Sequence, residues 1–251
     1  MALYMNGQEI SQSSGVPISG AGATEPYIEE IYNSDGQLIS ANMHGYDAIR
    51  SYMFSDCSNL ALNSLPSGIT SIGKYAFQNC SNLALTSLPN SITSIGTNAF
   101  QNCTNLALTL LPSGLTSIGS YTFYNCSNLA LTSLPSGITS FGIGAFLNCS
   151  KLALTSLPSG ITSIGISAFE NCPKLVLTSL PSGLTSIGNN AFGKCTGLTS
   201  ITFTGTPTSI GSNAFSNCTN LTTINVPWAN GAVANAPWGA TNATIHYGYT
   251  G

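Results

Sequence analysis

Leu83-Ala-Leu85-Thr-Ser-Leu88-Pro89-Asn-Ser-Ile92-Thr-Ser-Ile95-Gly96-Thr-Asn-Ala99-Phe100-Gln-Asn102-Cys103-Thr-Asn105 is one period of a repeat. The chain's eight cysteines stand at 57, 80, 103, 126, 149, 172, 195 and 218, every interval being 23. A phenylalanine lies three residues before each cysteine, from Phe54 to Phe215, and a leucine three residues after each, from Leu60 to Leu221. Three interlocked series of eight define an array of repeated units. One such unit is a single layer and cannot bury its apolar side chains alone. Stacked units bury them against the layers above and below, so the expected architecture is a repeat solenoid held by nearest-neighbour interfaces.

Within the unit, Leu83, Leu85 and Leu88 precede a turn at Pro89, which reads Pro-Ser-Gly in the other units up to Pro181. Ile92 and Ile95 follow, then a glycine that recurs in all seven equivalent places from Gly73 to Gly211. A recurring glycine there implies either a positive φ or a close approach between coils. Ala99 to Cys103 is too short for a full helix. Asparagine precedes the cysteine in six units, at 79, 102, 125, 148, 171 and 217, where it is expected to satisfy backbone groups at a turn. Coils about 4.8 Å apart would stack identical residues into ladders.

These residues resemble the BspA-like, or Treponema-type, leucine-rich repeats, whose pattern runs roughly L-x-x-I-x-L-P-x-x-L-x-x-I-G-x-x-A-F-x-x-C. Leu198 to Phe203 and Ile210 to Cys218 fit closely. Units two to seven depart, reading Leu-Ala-Leu-Thr-Ser-Leu-Pro or close to it with the middle apolar residue one place early, which puts strand register at that point in question. The resemblance implies a leucine-rich-repeat right-handed superhelix, mainly β with short turn or 3-10 segments and capped ends. About eight units would occupy residues 38–226, with 38–56 a degraded unit holding Ile49 and Phe54 in register. Residues 1–37 are expected as an N-terminal cap or attachment segment, and 227–251, with Trp228 and Trp238, as a C-terminal cap whose tryptophans close the open end of the core.

Composition narrows the function. The chain has 251 residues, 43% apolar and only 5% charged, where about a quarter is usual. Up to Cys57 there are seven acids and one base, Arg50; beyond it only Lys74, Lys151, Lys174, Lys194 and Glu170 are charged. Four scattered lysines cannot neutralise a phosphate track, so no nucleic acid is expected as partner. No run of about 20 apolar residues is present, so no membrane insertion is expected. Met1 to Ile10 has neither a basic start nor a long apolar stretch and does not read as a secretory signal.

No reactive constellation emerges. One thiol per coil, pointing inward with parallel Cα–Cβ vectors, reads as a buried free cysteine rather than half of a disulfide, which needs Cβ atoms about 3.8 Å apart. No Cys-x-x-Cys pair offers a zinc site. His44 and His246 lie in opposite end regions, and Glu29-Glu30 reads as a solvated cap face. No Gly-x-Gly-x-x-Gly or Walker sequence occurs. The chain is therefore read as no enzyme, with neither cofactor nor metal.

Function is left to the surface, and to positions that the repeat does not fix. Tyr75, Tyr121 and Tyr124 are candidates for an aromatic patch, extended by Ile143, Leu147 and Ile166 as an apolar stripe. The resemblance implies an adhesion or protein-recognition module at a bacterial surface, with a protein or an envelope ligand as partner. Two alternatives stand beside it. One is a structural or receptor-binding part of a phage-like particle, and the other a carbohydrate-binding module using the Trp and Tyr side chains. Localisation is expected at the cell surface or on such a particle, with the cytoplasm left open.

Overall fold

The computed structural model describes residues 3–5, 8–10 and 26–250. Of the segment expected as an N-terminal cap, 1–37, residues 1–2, 6–7 and 11–25 therefore lie outside the described residues. The chain winds as a β-solenoid, one coil per 23-residue unit, and none of the described residues is helical.

Its strands, in chain order, are β1 (Leu3–Met5), β2 (Gln8–Ile10), β3 (Tyr27–Tyr32), β4 (Leu38–His44), β5 (Ala48–Ile49), β6 (Ser71–Ile72), β7 (Ser94–Ile95) and β8 (Ser140–Phe141). They continue with β9 (Ser163–Ile164), β10 (Ser179–Leu180), β11 (Ser186–Ile187), β12 (Ser200–Phe203), β13 (Ser209–Ile210), β14 (Thr223–Val226) and β15 (Thr244–Tyr247). Three sides result. An isoleucine strip carries the two-residue strands β5, β6, β7, β8, β9, β11 and β13. A leucine side carries β10, β12, β14 and β15. Between them the segment from the recurring glycine to the cysteine forms a turn side.

On the isoleucine strip, parallel pairing runs in the register of the repeat, with Ile49 opposite Ile72, Ile72 opposite Ile95 and Ile164 opposite Ile187. The isoleucines point inward while the serines beside them face solvent or are half-buried. The core is a set of ladders. Phe54 to Phe215 are each at most 1% exposed, and successive rings stack with centroids 5.3 to 5.6 Å apart and planes within 13°. Burying each ring stabilises by about 1.5–3 kcal/mol, and each stacked pair adds about 0.5–1.5 kcal/mol.

The turn side contains no 3-10 helix, because its amides alternate in direction. Ala76, Gln78 and Cys80 donate three residues back, to Gly73, Tyr75 and Phe77, at 3.2 to 3.4 Å. Tyr75, Phe77 and Asn79 donate instead to Thr97, Ala99 and Gln101 of the next coil, at 2.8 to 3.0 Å. This weave needs left-handed residues twice per coil, seen at Tyr75 (φ 56) and Asn79 (φ 61) and at equivalent places along the stack. Asn tolerates that conformation better than other side chains. The asparagines also bond one another. Asn79 donates to Asp56 at 2.7 Å, Asn102 to Asn79 at 2.7 Å, Asn125 to Asn102 at 3.1 Å and Asn171 to Asn148 at 3.0 Å. The amide thus serves its neighbour in the ladder more than the turn's backbone.

Of the two readings of the recurring glycine, close approach holds. The Gly73 series does not adopt positive φ. A Cβ on Gly73, Gly96, Gly142, Gly165, Gly188 or Gly211 would instead lie 2.4 to 2.6 Å from backbone of the preceding coil.

The leucine side divides where the sequence pattern changes. In the last two units Ile201 and Phe203, and Ile224 and Val226, alternate strictly, and they form the four-residue strands β12 and β14. Earlier units place two residues between Leu85 and Leu88, which breaks the alternation that a strand requires. There, apart from β10, coils are joined by single bonds such as Ala107 N–H to Leu85 C=O, 3.1 Å, and Ala130 N–H to Leu108 C=O, 3.1 Å.

At the start, β3 and β4 form an antiparallel hairpin with an irregularity at Ile31 and Tyr32, and Ala41 and Met43 bury against the first coil. At the end, the chain makes one more coil. Thr244 pairs with Thr223, a step two residues shorter than the period. Trp238 is fully buried, stands 23 residues after Phe215, and its carbonyl accepts the Phe215 N–H at 2.9 Å.

Candidate interaction surface

The turn side presents two groups of exposed rings and aliphatic chains. In the first, Tyr121 is 36% exposed and meets Tyr124 edge-on, centroids 6.0 Å apart. Its ring passes over Gly144, where a Cβ would lie 2.6 Å from the ring, so the glycine makes room for the tyrosine. Tyr121 N–H donates to Ile143 C=O at 2.8 Å and Gly144 N–H to Ile166 C=O at 2.8 Å, which sets these residues on three successive coils. Ile143 is 41% and Ile166 49% exposed, while Tyr124 and Leu147 are half-buried one repeat apart. The fold therefore gathers Tyr121, Tyr124, Ile143, Leu147 and Ile166 on one stretch.

Tyr75 does not join them. The equivalent residue one coil on is Asn98, which is buried and bonded to Gln101. Tyr75 stacks instead on Tyr52, centroids 4.8 Å and planes 12° apart. Tyr52, 54% exposed, was not legible as a candidate because it sits in the degraded first unit. Its distance from Tyr75, one full period, is the signal that finds it. Both tyrosines, like Tyr121, hold positive φ. Backbone of that kind costs an ordinary side chain about 1–2 kcal/mol, and here the weave of amides imposes it, as at Asn98, Ser167 and Asn190.

The tryptophans are not a ligand platform. Trp228 and Trp238 are buried, pack on one another at 6.3 Å edge-on, and close around Phe203. The sugar-binding reading thereby loses its exposed indole rings. The cysteines from Cys80 to Cys218 are buried thiols, each donating from Sγ to the carbonyl of the phenylalanine one coil back, at 2.9 to 3.1 Å. Burial raises their pKa, for Cys218 to about 11, so they stay protonated and unreactive.

His44 meets an acid that its sequence neighbours do not supply. The hairpin sets its Nε2 3.9 Å from Glu29, on an exposed face and stacked over Tyr27 at 4.5 Å. A cavity of about 240 Å³ lies between hairpin and first coil, lined by Glu30, Tyr32, Asp56 and Cys57 among others. Tyr32 donates to Glu30 at 2.6 Å, and burial followed by the Glu30 and Asp56 carboxylates pushes the Cys57 thiol up to about 11. A thiol so held is not a nucleophile at neutral pH. Among the described residues no cluster of three or more His, Cys, Asp or Glu could hold a metal ion, and no helix is long and apolar enough to cross a membrane.

The family follows from these ladders and their spacing. The chain belongs to the BspA-type leucine-rich repeat family, whose profile matches six copies over residues 47–176 and 164–235. It is similar to a leucine-rich cell surface protein of Faecalibacterium prausnitzii A2-165, with 30% identity and a TM-score of 0.55 over 77% of this chain. The match spans 60% of that protein's length. The leucine-rich repeat protein of Treponema pallidum shares the fold at 24% identity, with a TM-score of 0.51 over 77% of this chain and 87% of its own. No curated protein matches in sequence.

Proposed function

We propose that the chain is a non-catalytic recognition module of a bacterial cell surface, binding a protein or envelope partner through the Tyr121, Tyr124, Ile143, Leu147 and Ile166 patch. The observation that carries this is the exposure of Tyr121, Ile143 and Ile166 on successive coils, where at the Ile143 and Ile166 position other coils place Lys74, Thr97, Ser120, Asn189 and Ser212. Apolar side chains gathered on an otherwise hydroxyl-rich face mark an interaction site. Aromatic residues near the centre of such a patch supply most of the binding energy. The cell-surface description of the F. prausnitzii relative supports the location.

The test has two parts. Fluorescently labelled protein is titrated onto intact bacterial cells and onto matrix-coated wells, and a Tyr121→Ser/Ile143→Ser/Ile166→Ser variant of unchanged thermal stability is compared. Retention should fall at least about tenfold in the variant, as expected when anchors worth more than about 1.4 kcal/mol are removed. Equal retention overturns the site. In the source culture the protein should be released by protease shaving of whole cells; recovery in pelleted particles after prophage induction overturns the location in favour of a virion component.

A further inference from the structure

The isoleucine strip is broken once. Every other rung from Asp47 to Gly211 carries bonds of the same kind. Thr93 N–H donates to Thr70 C=O at 2.9 Å and Gly96 N–H to Ile72 C=O at 2.8 Å, and past the break Thr139 donates to Thr116 at 3.0 Å and Gly142 to Ile118 at 2.9 Å. Between Ile95 and Ile118, among the described residues, the bonds from Thr116 N–H to Thr93, from Gly119 N–H to Ile95 and from Ile95 N–H to Ser117 are missing. Strand pairing stops with β7 and resumes at the bridge between Ile118 and Phe141.

Two further measures agree. A Cβ on Gly119 would lie 3.7 Å from the Thr97 nitrogen, where its counterpart on Gly96 would lie 2.6 Å from Lys74 and that on Gly142 2.5 Å from Ser120. Ile95 is 8% exposed, against 1 to 3% for Ile49, Ile72, Ile118, Ile164, Ile187 and Ile210.

The cause is one side chain. The residue before the phenylalanine is methionine at 53 in the first coil, alanine at 76, 99, 145, 168, 191 and 214, and threonine only at 122. Thr122 is fully buried, and its hydroxyl donates to Gly119 C=O at 3.0 Å and reaches Gly96 C=O of the preceding coil at 3.4 Å. A hydroxyl and a methyl group stand where six other coils keep a single methyl group, so the two coils part on this side. On the other sides they remain joined. Asn98, Phe100 and Asn102 donate to Ser120, Thr122 and Tyr124 at 2.8 to 3.1 Å, and Ala107 donates to Leu85 at 3.1 Å.

We infer that this seam is a hinge. The solenoid bends there as two rigid stacks, one ending with β7 and the other beginning at Ile118, and Thr122 holds the strip side open. The axis is the intact turn side, and the motion carries the Tyr121 patch relative to the Tyr52–Tyr75 pair on the opposite stack. The hinge rests on backbone pairing alone and stands whether or not the patch binds a partner.

Amide hydrogen exchange of the full chain, read residue by residue, tests it. In the native protein Ile95, Thr116 and Gly119 should exchange at least about tenfold faster than Ile72, Thr93 and Gly96, since opening the seam breaks no rung bond. Thr122→Ala, which restores the residue found in six other coils, should slow the three amides to their counterparts' rates. Ala145→Thr should add a second fast set one coil on, at Ile118, Thr139 and Gly142. Native amides as slow as their counterparts overturn the hinge, and unchanged fast exchange in Thr122→Ala overturns the role of Thr122.

Discussion

The turn side and the leucine side of the same coils use their residues differently. On the turn side the rungs up to the coil of Phe169 repeat one solution. A stacked ring, a thiol bonded to a carbonyl one coil back and three amides aimed at the next coil leave little to vary. On the leucine side the first units are held by one backbone bond per coil, and only the last two units add four-residue strands. Register in this solenoid is therefore fixed chiefly by the turn, while the leucines supply buried area. Coils are specified where polar groups must be matched, and are tolerant where only apolar volume is required.

Alkaline pH should break that contrast most severely, because it strikes the turn side alone. The thiols from Cys80 to Cys218 have folded pKa values above the ordinary 9.0, pushed up by burial. The folded protein holds protons that the unfolded chain releases, so their contribution is intact below pH 9 and is lost as pH rises. Each thiol removes about 1.4 kcal/mol per pH unit, for Cys218 until about 11. The urea midpoint should be level from pH 7 to 8.5 and collapse by pH 10; a level profile to pH 10.5 would show that the thiols are not buried in their neutral form.

Single substitutions sharpen the comparison further. Phe146→Ala, in the middle of the ring ladder, should cost about 3–5 kcal/mol, and Leu157→Ala on the leucine side about 2 kcal/mol. Equal losses in chemical denaturation would erase the distinction between the sides. Gly165→Ala would set a Cβ 2.6 Å from the Gly142 backbone and should cost about 1–3 kcal/mol through overpacking. In Gly160→Ala the nearest atom is 3.8 Å away, and the melting temperature should barely move, within about 0.5 kcal/mol. Smallest of all is Leu110→Ser, which restores the serine of neighbouring units at a position 63% exposed and should also stay within about 0.5 kcal/mol.

Much of this was legible in the residues. The 23-residue spacing of Phe, Cys and Leu gave the coil and its ladders, since buried residues in a stack must recur in register. The early middle leucine of units two to seven puts strand register in question there, and what the structure lacks, apart from β10, is the strand itself. The recurring glycine left two readings, and only the distances between coils separate them. Other features depend on what no single unit contains. Tyr75 and Tyr121 adopt left-handed backbone because the weave of amides imposes it, against the preference of their own side chains. Position alone predicts Tyr121 beside Ile143 and Ile166, whereas the separation of Tyr75 follows from the buried Asn98 in the coil between. The seam turns on one threonine in a column of alanines, a change of two heavy atoms that matters only because a carbonyl lies beyond it. The hairpin's pairing of His44 with Glu29 comes from strand register, which sequence distance conceals.

The Trp238 carbonyl that receives the Phe215 amide does for the last ring what the Ala214 carbonyl does for Phe192. The terminal structure docks on the last two units alone, through Phe203 and β14, and among the described residues touches none of the coils before them. Gain or loss of a complete unit upstream would leave that junction unaltered, and the distance from the hairpin to the closing tryptophan would change in steps of about 4.8 Å. The molecule is in this sense an adjustable spacer, whose reach can drift in evolution by whole increments without any new end having to be invented.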